Sequence, residues 1–247
     1  MQLVERIFMV LELLSNKPEG LMITEISKSL DLPVSTTHRL LASLKDNDYV
    51  LQDKETSRYR LGLKVVSLAV GYLNNNNVKT VARPFLEDLF NKYEEVIFLT
   101  VMENKKSICI DTVNSGDRIK FYVKIGSEMP LNGASAAQAI VAYLEEKEID
   151  EILEKSEFKR YSKNTLTDCL EVKEKLSKIR EAGYAVCDEE LDDGVIAIST
   201  PIRNMYGKVI GSVTMISIKT ENNEIENKIH SLIDTADKIS TSLGWMK

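Results

Sequence analysis

The chain has 247 residues, 43% of them hydrophobic, and a formal net charge of −6. This length exceeds that of one small module and predicts two domains, while no apolar run reaches the roughly 18 residues of a membrane-spanning helix. Charged residues interrupt the N-terminal segment where a signal peptide needs its apolar stretch, so we expect a cytoplasmic protein with no membrane partner.

The first predicted element is a helix from Leu3 to Asn16, because apolar residues recur there at helical spacing. These residues are Val4, Ile7, Phe8, Leu11 and Leu14. We expect this helix to close a small hydrophobic core, so its predicted role is structural.

Two further helices separated by a tight turn are predicted between Ile23 and Val50. The first runs from about Thr24 to Leu30, with Thr24 as its N-cap and Ile26 on its buried face. Pro33 suits the first turn of the next helix, because that turn needs no amide hydrogen. This arrangement is typical of a helix-turn-helix unit.

The second of these helices has a buried stripe and an outward polar face. The stripe contains Thr37, Leu40, Leu41 and Leu44, and the outward and flanking positions are Ser35, Thr36, His38, Arg39 and Ser43. Short hydroxyl side chains allow close approach to the major groove, where Arg39 is able to bind guanine through two hydrogen bonds. We predict that these five outward residues bind a double-stranded DNA operator. Packed helix pairs in protein cores and dimer interfaces show the same polar face, which leaves a second interpretation open.

A β-hairpin is predicted directly after this helix. It consists of a strand at 49–51, a polar turn at 53–57 and a returning strand at 58–61. Arg58 and Arg60 share one face of the returning strand and are predicted to contact the phosphate backbone or the minor groove. The hairpin would then be the wing of a winged helix, although surface hairpins also carry arginine for solubility alone.

The charge distribution predicts an oligomer. Residues 1–76 carry nine basic and nine acidic side chains, so all of the excess negative charge lies in the remainder. A neutral DNA-binding domain gains little phosphate affinity per copy, whereas two linked copies bind far more tightly. We therefore expect a homodimer, or a dimer of dimers, on a roughly palindromic operator.

A strongly apolar helix is predicted after Gly62, and it ends at the asparagine run 74–77. Asparagine is a poor helix former, so the run predicts a hinge between domains. The predicted domains are residues 1–62, a winged helix-turn-helix, and residues 77–247, with a linker helix and hinge at 63–76. We interpret the apolar excess of the linker helix as serving dimerisation; a core helix followed by a surface loop is the alternative.

The remainder has an α+β pattern. Predicted helices span 80–93, 134–144, 146–153, 170–182 and 221–244, and predicted strands span 96–102, 107–113, 119–123, 184–187, 195–203 and 208–217. Pro84 is expected to interrupt the first of these helices. One antiparallel sheet with helices packed about it is the expected architecture.

This order of elements and four motifs resemble the IclR family of bacterial transcription regulators over nearly the whole chain. The motifs are LPVSTTHRLLASL at 32–44, YRLGLKVVSLA at 59–69, GSEMPLNGASAAQAI at 126–140 and IREAGYAVCDEELDDGVIAISTPIRNMYGKVIGSV at 179–213. The resemblance implies an N-terminal winged helix-turn-helix and a C-terminal effector-binding domain that resembles GAF domains. It also implies dimers or dimers of dimers, and control of the catabolism of small organic acids, with repression favoured over activation.

The family's motif positions imply an effector pocket in the C-terminal domain. Its residues here are Phe121, Met129, Ser135, Ala136, Cys187, Ala197 and Thr214. The chain departs from the family pattern at several of these positions: Ala197 replaces a common cysteine and Cys187 a common acidic residue. Gln138 and Asn132 likewise replace a common lysine and histidine. The resemblance therefore implies a small organic acid effector without identifying which acid.

The small residues 133–136 give independent support for an anion site. Small side chains at a helix N-terminus allow an anion to reach free backbone N–H groups. Close packing of the helix on a sheet selects the same residues, so both interpretations remain open.

No catalytic residue, metal site or cofactor is predicted, and we do not expect an enzyme. The two histidines, His38 and His230, are too few for a metal cluster or a hydrolase triad in the C-terminal domain. The acidic run 188–193 is expected to form a solvated loop rather than a metal site.

The cysteines Cys109, Cys169 and Cys187 form no CxxC pair and are expected to be free, buried or half-buried thiols. Two alternative functions remain. One is a redox sensor that acts through Cys187, although neighbouring carboxylates would dull its reactivity. The other is a regulator that needs no effector.

Overall fold

The computed structural model describes residues 3–68, 77–114, 123–220 and 224–246. The chain divides into two compact units, Met1–Asn75 and Asn76–Lys247. The strand predicted at 119–123 and the hinge predicted at 74–77 lie outside the described residues, except for Val123, which is not in a strand, and Asn77, which begins a helix.

The first unit contains a helix-turn-helix followed by a hairpin, as predicted. Its elements are α1 (Leu3–Ser15), α2 (Ile23–Ser29), α3 (Val34–Asp46), β1 (Val50–Gln52) and β2 (Tyr59–Leu61). The two strands pair antiparallel, with Leu51 opposite Arg60. Residues 63–68, at the start of the predicted linker, are helical.

The core of the first unit forms where the three helices and the hairpin meet. Val10, Ile26, Leu41 and Val50 are fully buried in it. Helix α1 contacts this core through Val10 and Leu14, and Ile7 and Leu11 pack against it as predicted. The predicted contribution of Val4 and Phe8 was wrong. Val4 and Phe8 are 56% and 58% exposed.

Helix α2 begins one residue earlier than predicted, so Thr24 lies inside it and is not its cap. The carboxylate of Glu25 instead accepts a hydrogen bond from the backbone N–H of Met22 at 2.6 Å. This bond satisfies one of the amide groups that a helix N-terminus leaves without a partner inside the helix.

The second unit is an antiparallel sheet with helices on both faces. Its helices are α4 (Asn77–Tyr93), α5 (Ser135–Val141), α6 (Glu146–Lys155), α7 (Cys169–Ala182) and α8 (Ile225–Ser242). Its strands are β3 (Val96–Glu103), β4 (Lys106–Val113), β5 (Ala185–Asp188), β6 (Val195–Arg203) and β7 (Val209–Ile218), in the order β4-β3-β7-β6-β5. This architecture confirms the predicted fold class.

The two faces of this sheet differ because side chains alternate along each strand. On one face Leu99 and Met215 pack with α4 and α8 in the main hydrophobic core. On the other face Ser199 on β6 and Thr214 on β7 lie directly opposite each other as register partners. Helix α5 lies over this second face, where Ser212 donates a hydrogen bond to the carbonyl of Ala136 at 2.9 Å.

Helix α4 continues through Pro84, so the predicted interruption was wrong. Proline removes one backbone hydrogen bond and disfavours a helix interior. Here Ala82 and Leu86, on either side of Pro84, are both fully buried in the main core. Their packing holds the turns on both sides of the proline in place.

Asp168 is the N-cap of α7. Its carboxylate accepts hydrogen bonds from the backbone N–H groups of Leu170 at 2.8 Å and Glu171 at 3.2 Å. We expect Asp168→Ala to lower the free energy of unfolding by about 1 kcal/mol, because these amide groups lose their acceptor. Asp168→Asn should cost much less, since asparagine is an equally good cap; urea denaturation of both variants measures the difference, and an equal loss would contradict the capping role.

Candidate DNA interface and ligand cavity

Helix α3 has one buried and one exposed face, as its sequence predicts. Thr37, Leu40, Leu41 and Leu44 are buried, whereas the predicted DNA contacts lie outside the core. Ser35, His38, Arg39 and Ser43 are exposed, and Thr36 is half-buried. The helix therefore presents an arginine and small hydroxyl side chains to solvent on one side.

The turn before α3 is held by hydrogen bonds of its own. The hydroxyl of Ser27 donates to the carbonyl of Leu32 at 2.6 Å, and Leu32 donates its backbone N–H to the carbonyl of Ser27 at 3.0 Å. At the start of α3, the hydroxyl of Thr37 donates to the carbonyl of Pro33 at 3.2 Å. These bonds fix the direction in which α3 leaves the turn.

The hairpin turn is closed by Asp53. Its carboxylate accepts hydrogen bonds from the backbone N–H groups of Thr56 at 2.8 Å and Glu55 at 3.0 Å, and from the Thr56 hydroxyl. These bonds, with those from Thr56 the strongest, lower the pKa of Asp53. The backbone N–H of Asp53 also donates to the carbonyl of Arg58 at 2.8 Å, so both the side chain and the backbone of Asp53 close the turn.

The structure separates the two arginines that the strand pattern placed together. Arg58 donates to the carbonyl of Gly20 at 2.7 Å and to Glu25 at 3.4 Å, and only 35% of its side chain is exposed. Arg60 is exposed. Arg58 thus already has acceptors inside the first unit, which fasten the hairpin to α2.

A cavity of about 420 Å³ lies on the α5 face of the second sheet. Five of the seven predicted effector residues line it: Met129, Ser135, Ala136, Cys187 and Ala197. Cys187 and Ala197 come together because they are register partners on β5 and β6, and Ile216 is the partner of Ala197 on β7. Phe121 lies outside the described residues. A cavity of this size accommodates a small organic molecule.

Thr214 does not line this cavity but lies behind its wall. Its hydroxyl is 2.8 Å from that of Ser199, which is in turn 2.7 Å from the hydroxyl of Ser135. All three residues are 1% exposed or less. They form a chain of hydroxyl groups that links Thr214 through Ser199 to Ser135 at the cavity wall.

A charged cluster at the cavity wall was missed by the sequence analysis. The ammonium group of Lys175 lies 2.5 Å and 2.7 Å from the two carboxylate oxygens of Glu190, and both side chains are largely buried. The thiol of Cys187 lies 3.3 Å from Glu190 and 3.4 Å from the side-chain oxygen of Gln138. Gln138 also donates to the carbonyl of Leu131 at 3.1 Å. Gln138, which stands where the family commonly has a lysine, is therefore hydrogen-bonded within the fold.

The acidic run is not a fully solvated loop, so that prediction was wrong for two of its members. Only 17% of the Glu189 side chain and 13% of the Glu190 side chain are exposed. Lys219 binds both Asp188 and Glu189, and Lys175 binds Glu190. In the parts of the chain that the structure describes, no cluster of three histidine, cysteine or acidic side chains could hold a metal ion.

The structure does not favour redox sensing by Cys187. The residue is 3% exposed. Burial raises the pKa of its thiol well above the ordinary value, more than the nearby Lys175 lowers it. A protonated, buried thiol is a poor nucleophile. As predicted, Cys109 is also buried and Cys169 half-buried, and all three cysteines are free.

Helix α5 is shorter than predicted, with seven residues instead of eleven. All of its side chains are buried, in agreement with close packing on the sheet. The small residues before and within it are therefore explained by packing. Among the described helices, none is both long and apolar enough to cross a membrane.

Comparisons with known proteins agree with both parts of this architecture. Residues 70–241 match the family model of the C-terminal region of the bacterial transcriptional regulator IclR, and residues 3–54 match that of the IclR helix-turn-helix domain. The HTH-type transcriptional repressor AllR of Salmonella typhi is 30% identical over 246 residues, which cover 98% of this chain and 90% of AllR.

Two solved structures have the same fold. The crystal structure of Thermotoga maritima IclR superposes with a TM-score of 0.80 at 27% identity, covering 98% of both chains. An IclR homologue from Microbacterium hydrocarbonoxydans, solved in complex with 4-hydroxybenzoate, has a TM-score of 0.85 at 21% identity and covers 98% of this chain and 99% of its own.

Proposed function

The chain belongs to the IclR family of bacterial transcriptional regulators, which are DNA-binding proteins and not enzymes, and we propose that it is a repressor whose operator binding is modulated by a small organic acid. The observation that carries the proposal is the combination of an exposed polar face on α3 with a ligand-sized cavity in the second unit. The curated relative AllR is itself a repressor.

In this proposal α3 enters the major groove. Arg39 reads a guanine, while Ser35, Thr36, His38 and Ser43 bind phosphates or base edges. Arg60 contacts the phosphate backbone from the wing. Arg58 has a smaller part in DNA binding than its position in the sequence suggests, because Gly20 and Glu25 already accept its hydrogen bonds.

Exposed apolar side chains support a dimer. Leu63, Val66 and Leu68, in the helical segment at 63–68, are 78%, 55% and 57% exposed. Val4 and Phe8 add apolar surface on α1. Removing such exposed apolar side chains from water is favourable when a partner covers them. We propose that these residues are covered in a homodimer, or in a dimer of dimers, and that 63–76 acts as linker and hinge.

The 420 Å³ cavity is the proposed effector site. Ser135 offers a hydroxyl group held in place by Ser199, and Ala197 and Ile216 offer apolar contact. Three carboxylates line the cavity: Glu190 is paired with Lys175, Glu128 is paired with Lys106, and Asp192 is exposed to solvent. The wall therefore does not exclude a small acid. The hydroxyl group of Ser135 favours an acid that carries an additional oxygen able to form a hydrogen bond.

An effector changes operator affinity only if it binds one arrangement of the dimer more tightly than another. We propose that occupancy of the cavity selects one arrangement of the C-terminal parts of the dimer. The linker at 63–76 would then change the spacing of the two α3 helices. Half-site spacing is fixed by the helical repeat of DNA, so a change in spacing alters operator affinity.

The effector proposal is tested by thermal shift with the full chain and a panel of small acids, including lactate, pyruvate and 4-hydroxybenzoate. We expect at least one acid to raise the melting temperature at millimolar concentration, because it binds the folded state alone. Ser135→Ala should weaken the binding of that acid by about 1 kcal/mol through the loss of one hydrogen bond.

Ser177→Ala is the matched control, because Ser177 is exposed on α7 and its hydroxyl donates to the carbonyl of Lys173 in the same helix. It should leave ligand affinity unchanged. If no acid stabilises the protein, the result contradicts an acid effector and favours a regulator that needs none. If a stabilising acid binds Ser135→Ala as well as it binds the wild type, it does not occupy this cavity.

A further inference from the structure

A second, larger cavity of about 670 Å³ lies in the same unit. It is bounded by the β3–β4 turn, the segment 128–131 and helix α6 with the residues that follow it. It shares only Glu128, Met129 and Pro130 with the proposed effector cavity. The volume is within the range of small-molecule sites, and neither the family models nor the proposed function assigns it a role.

The inner wall of this second cavity is apolar. Leu131, Ala137, Val141 and Ile152 line it, and each is 8% exposed or less. These side chains come from three separate segments, which α5 and α6 bring together. An apolar group of a ligand would remove this surface from water and would be stabilised in proportion to the area covered.

The wall also contains one hydroxyl group that is available to a ligand. Ser107 lines the cavity and is 4% exposed, and its hydroxyl forms no hydrogen bond with any residue that the structure describes. Its backbone carbonyl accepts a hydrogen bond from the backbone N–H of Met129 at 2.8 Å. This hydroxyl faces the cavity and is therefore able to bond with a polar group supplied from outside the fold.

The rim carries charges of both signs. Lys106 pairs with Glu128 at 2.9 Å, and Lys105 pairs with Glu151. Lys155 and Glu157 also line the cavity, and neither forms an ion pair within the described part of the chain. One cation and one anion thus remain available beside an apolar wall and a hydroxyl group.

We infer that this second cavity binds an apolar α-amino acid. The carboxylate of the ligand binds Lys155, its ammonium group binds Glu157, and its side chain covers the apolar wall. Ser107 supplies a further hydrogen bond. A zwitterion satisfies both available rim charges, whereas a simple acid leaves Glu157 and a simple amine leaves Lys155 without a partner.

The inference is tested by isothermal titration calorimetry of the full chain with L-leucine, L-methionine and L-phenylalanine. For each amino acid, the matched acid and amine, such as 4-methylpentanoate and 3-methylbutylamine for leucine, are titrated separately. We expect at least one amino acid to bind and both of its analogues to bind about tenfold more weakly, because each lacks one charged hydrogen-bonded contact. Absence of binding by all three amino acids, or equal binding by an analogue, would overturn the inference.

Variants locate the site. Lys155→Gln and Glu157→Gln should each lower the affinity for the amino acid about tenfold through loss of a charge-assisted contact. Both residues are exposed, so the substitutions do not put folding at risk. Lys178→Gln, at an exposed position on α7, should leave affinity unchanged. Binding that is insensitive to Lys155→Gln and Glu157→Gln would place the ligand elsewhere and refute this site. No operator or effector is needed, so the outcome is independent of the proposed function.

Discussion

Arg39→Ala is expected to weaken operator binding by about 1–3 kcal/mol per half-site, and to relax specificity at one base pair. Arg39 is exposed in the N-terminal half of α3, while the opposite face of this helix is anchored by Leu40 and Leu41. The side chain is therefore free to enter the groove. Fluorescence anisotropy with operator fragments that vary one base pair at a time measures both affinity and specificity.

Two further variants separate base recognition from charge. Arg39→Lys keeps the positive charge but loses the two parallel hydrogen bonds that recognise guanine, so it should rescue little of the specificity. Arg60→Ala should weaken binding to all sequences alike and reduce the slope of affinity against salt by about one unit. If Arg39→Lys restores full specificity, or Arg39→Ala behaves like Arg60→Ala, Arg39 contacts phosphate and does not read a base.

Leu41→Ala is expected to lower the free energy of unfolding of the first unit by about 2–5 kcal/mol. Leu41 is fully buried where α3 meets α1 and α2. A unit of this size has a total stability of only about 4–11 kcal/mol, so the loss removes a large part of it. DNA binding should fall with the folded fraction of the unit.

Urea denaturation followed by circular dichroism measures this loss, and the fluorescence of Trp245, the only tryptophan, follows the second unit separately. Leu51→Ala is the matched control, because Leu51 is 40% exposed and its truncation should cost less than about 1 kcal/mol. Equal destabilisation by the two substitutions would contradict the central position of Leu41 in this core.

The sequence predicted elements well where burial follows a regular period. The stripe of Thr37, Leu40, Leu41 and Leu44 repeats at the helical period, and the structure buries all four residues. The same reasoning failed for Val4 and Phe8, because a periodic apolar face shows that a helix is amphipathic but not how far its partner extends. Their exposure depends on where the core of the first unit ends.

Side-chain partners from distant segments could not be predicted. Lys175 lies on α7 and Glu190 follows β5, and only the packing of that helix beside that strand brings their charges together. Arg58 likewise binds Gly20 and Glu25, which are far from it in sequence. The two-residue strand period placed Arg58 on the same face as Arg60 but gave no information on these acceptors.

The predicted effector positions depended on the family resemblance, and the structure shows which of them line the cavity. Register explains why Cys187 and Ala197 lie together, since they are partners on neighbouring strands. Thr214 lies behind the wall because the hydroxyl of Ser199 stands between it and Ser135. A motif position therefore gave the neighbourhood of the cavity but could not distinguish a lining residue from one behind it.

The central claim is that this chain binds a specific DNA operator. The most direct test is fluorescence anisotropy of the full chain with DNA from upstream of its own gene, titrated over salt beside unrelated DNA of equal length. We expect the upstream DNA to bind at least about a thousandfold more tightly than the unrelated DNA. Equal, weak binding to both fragments at every salt concentration would contradict the claim.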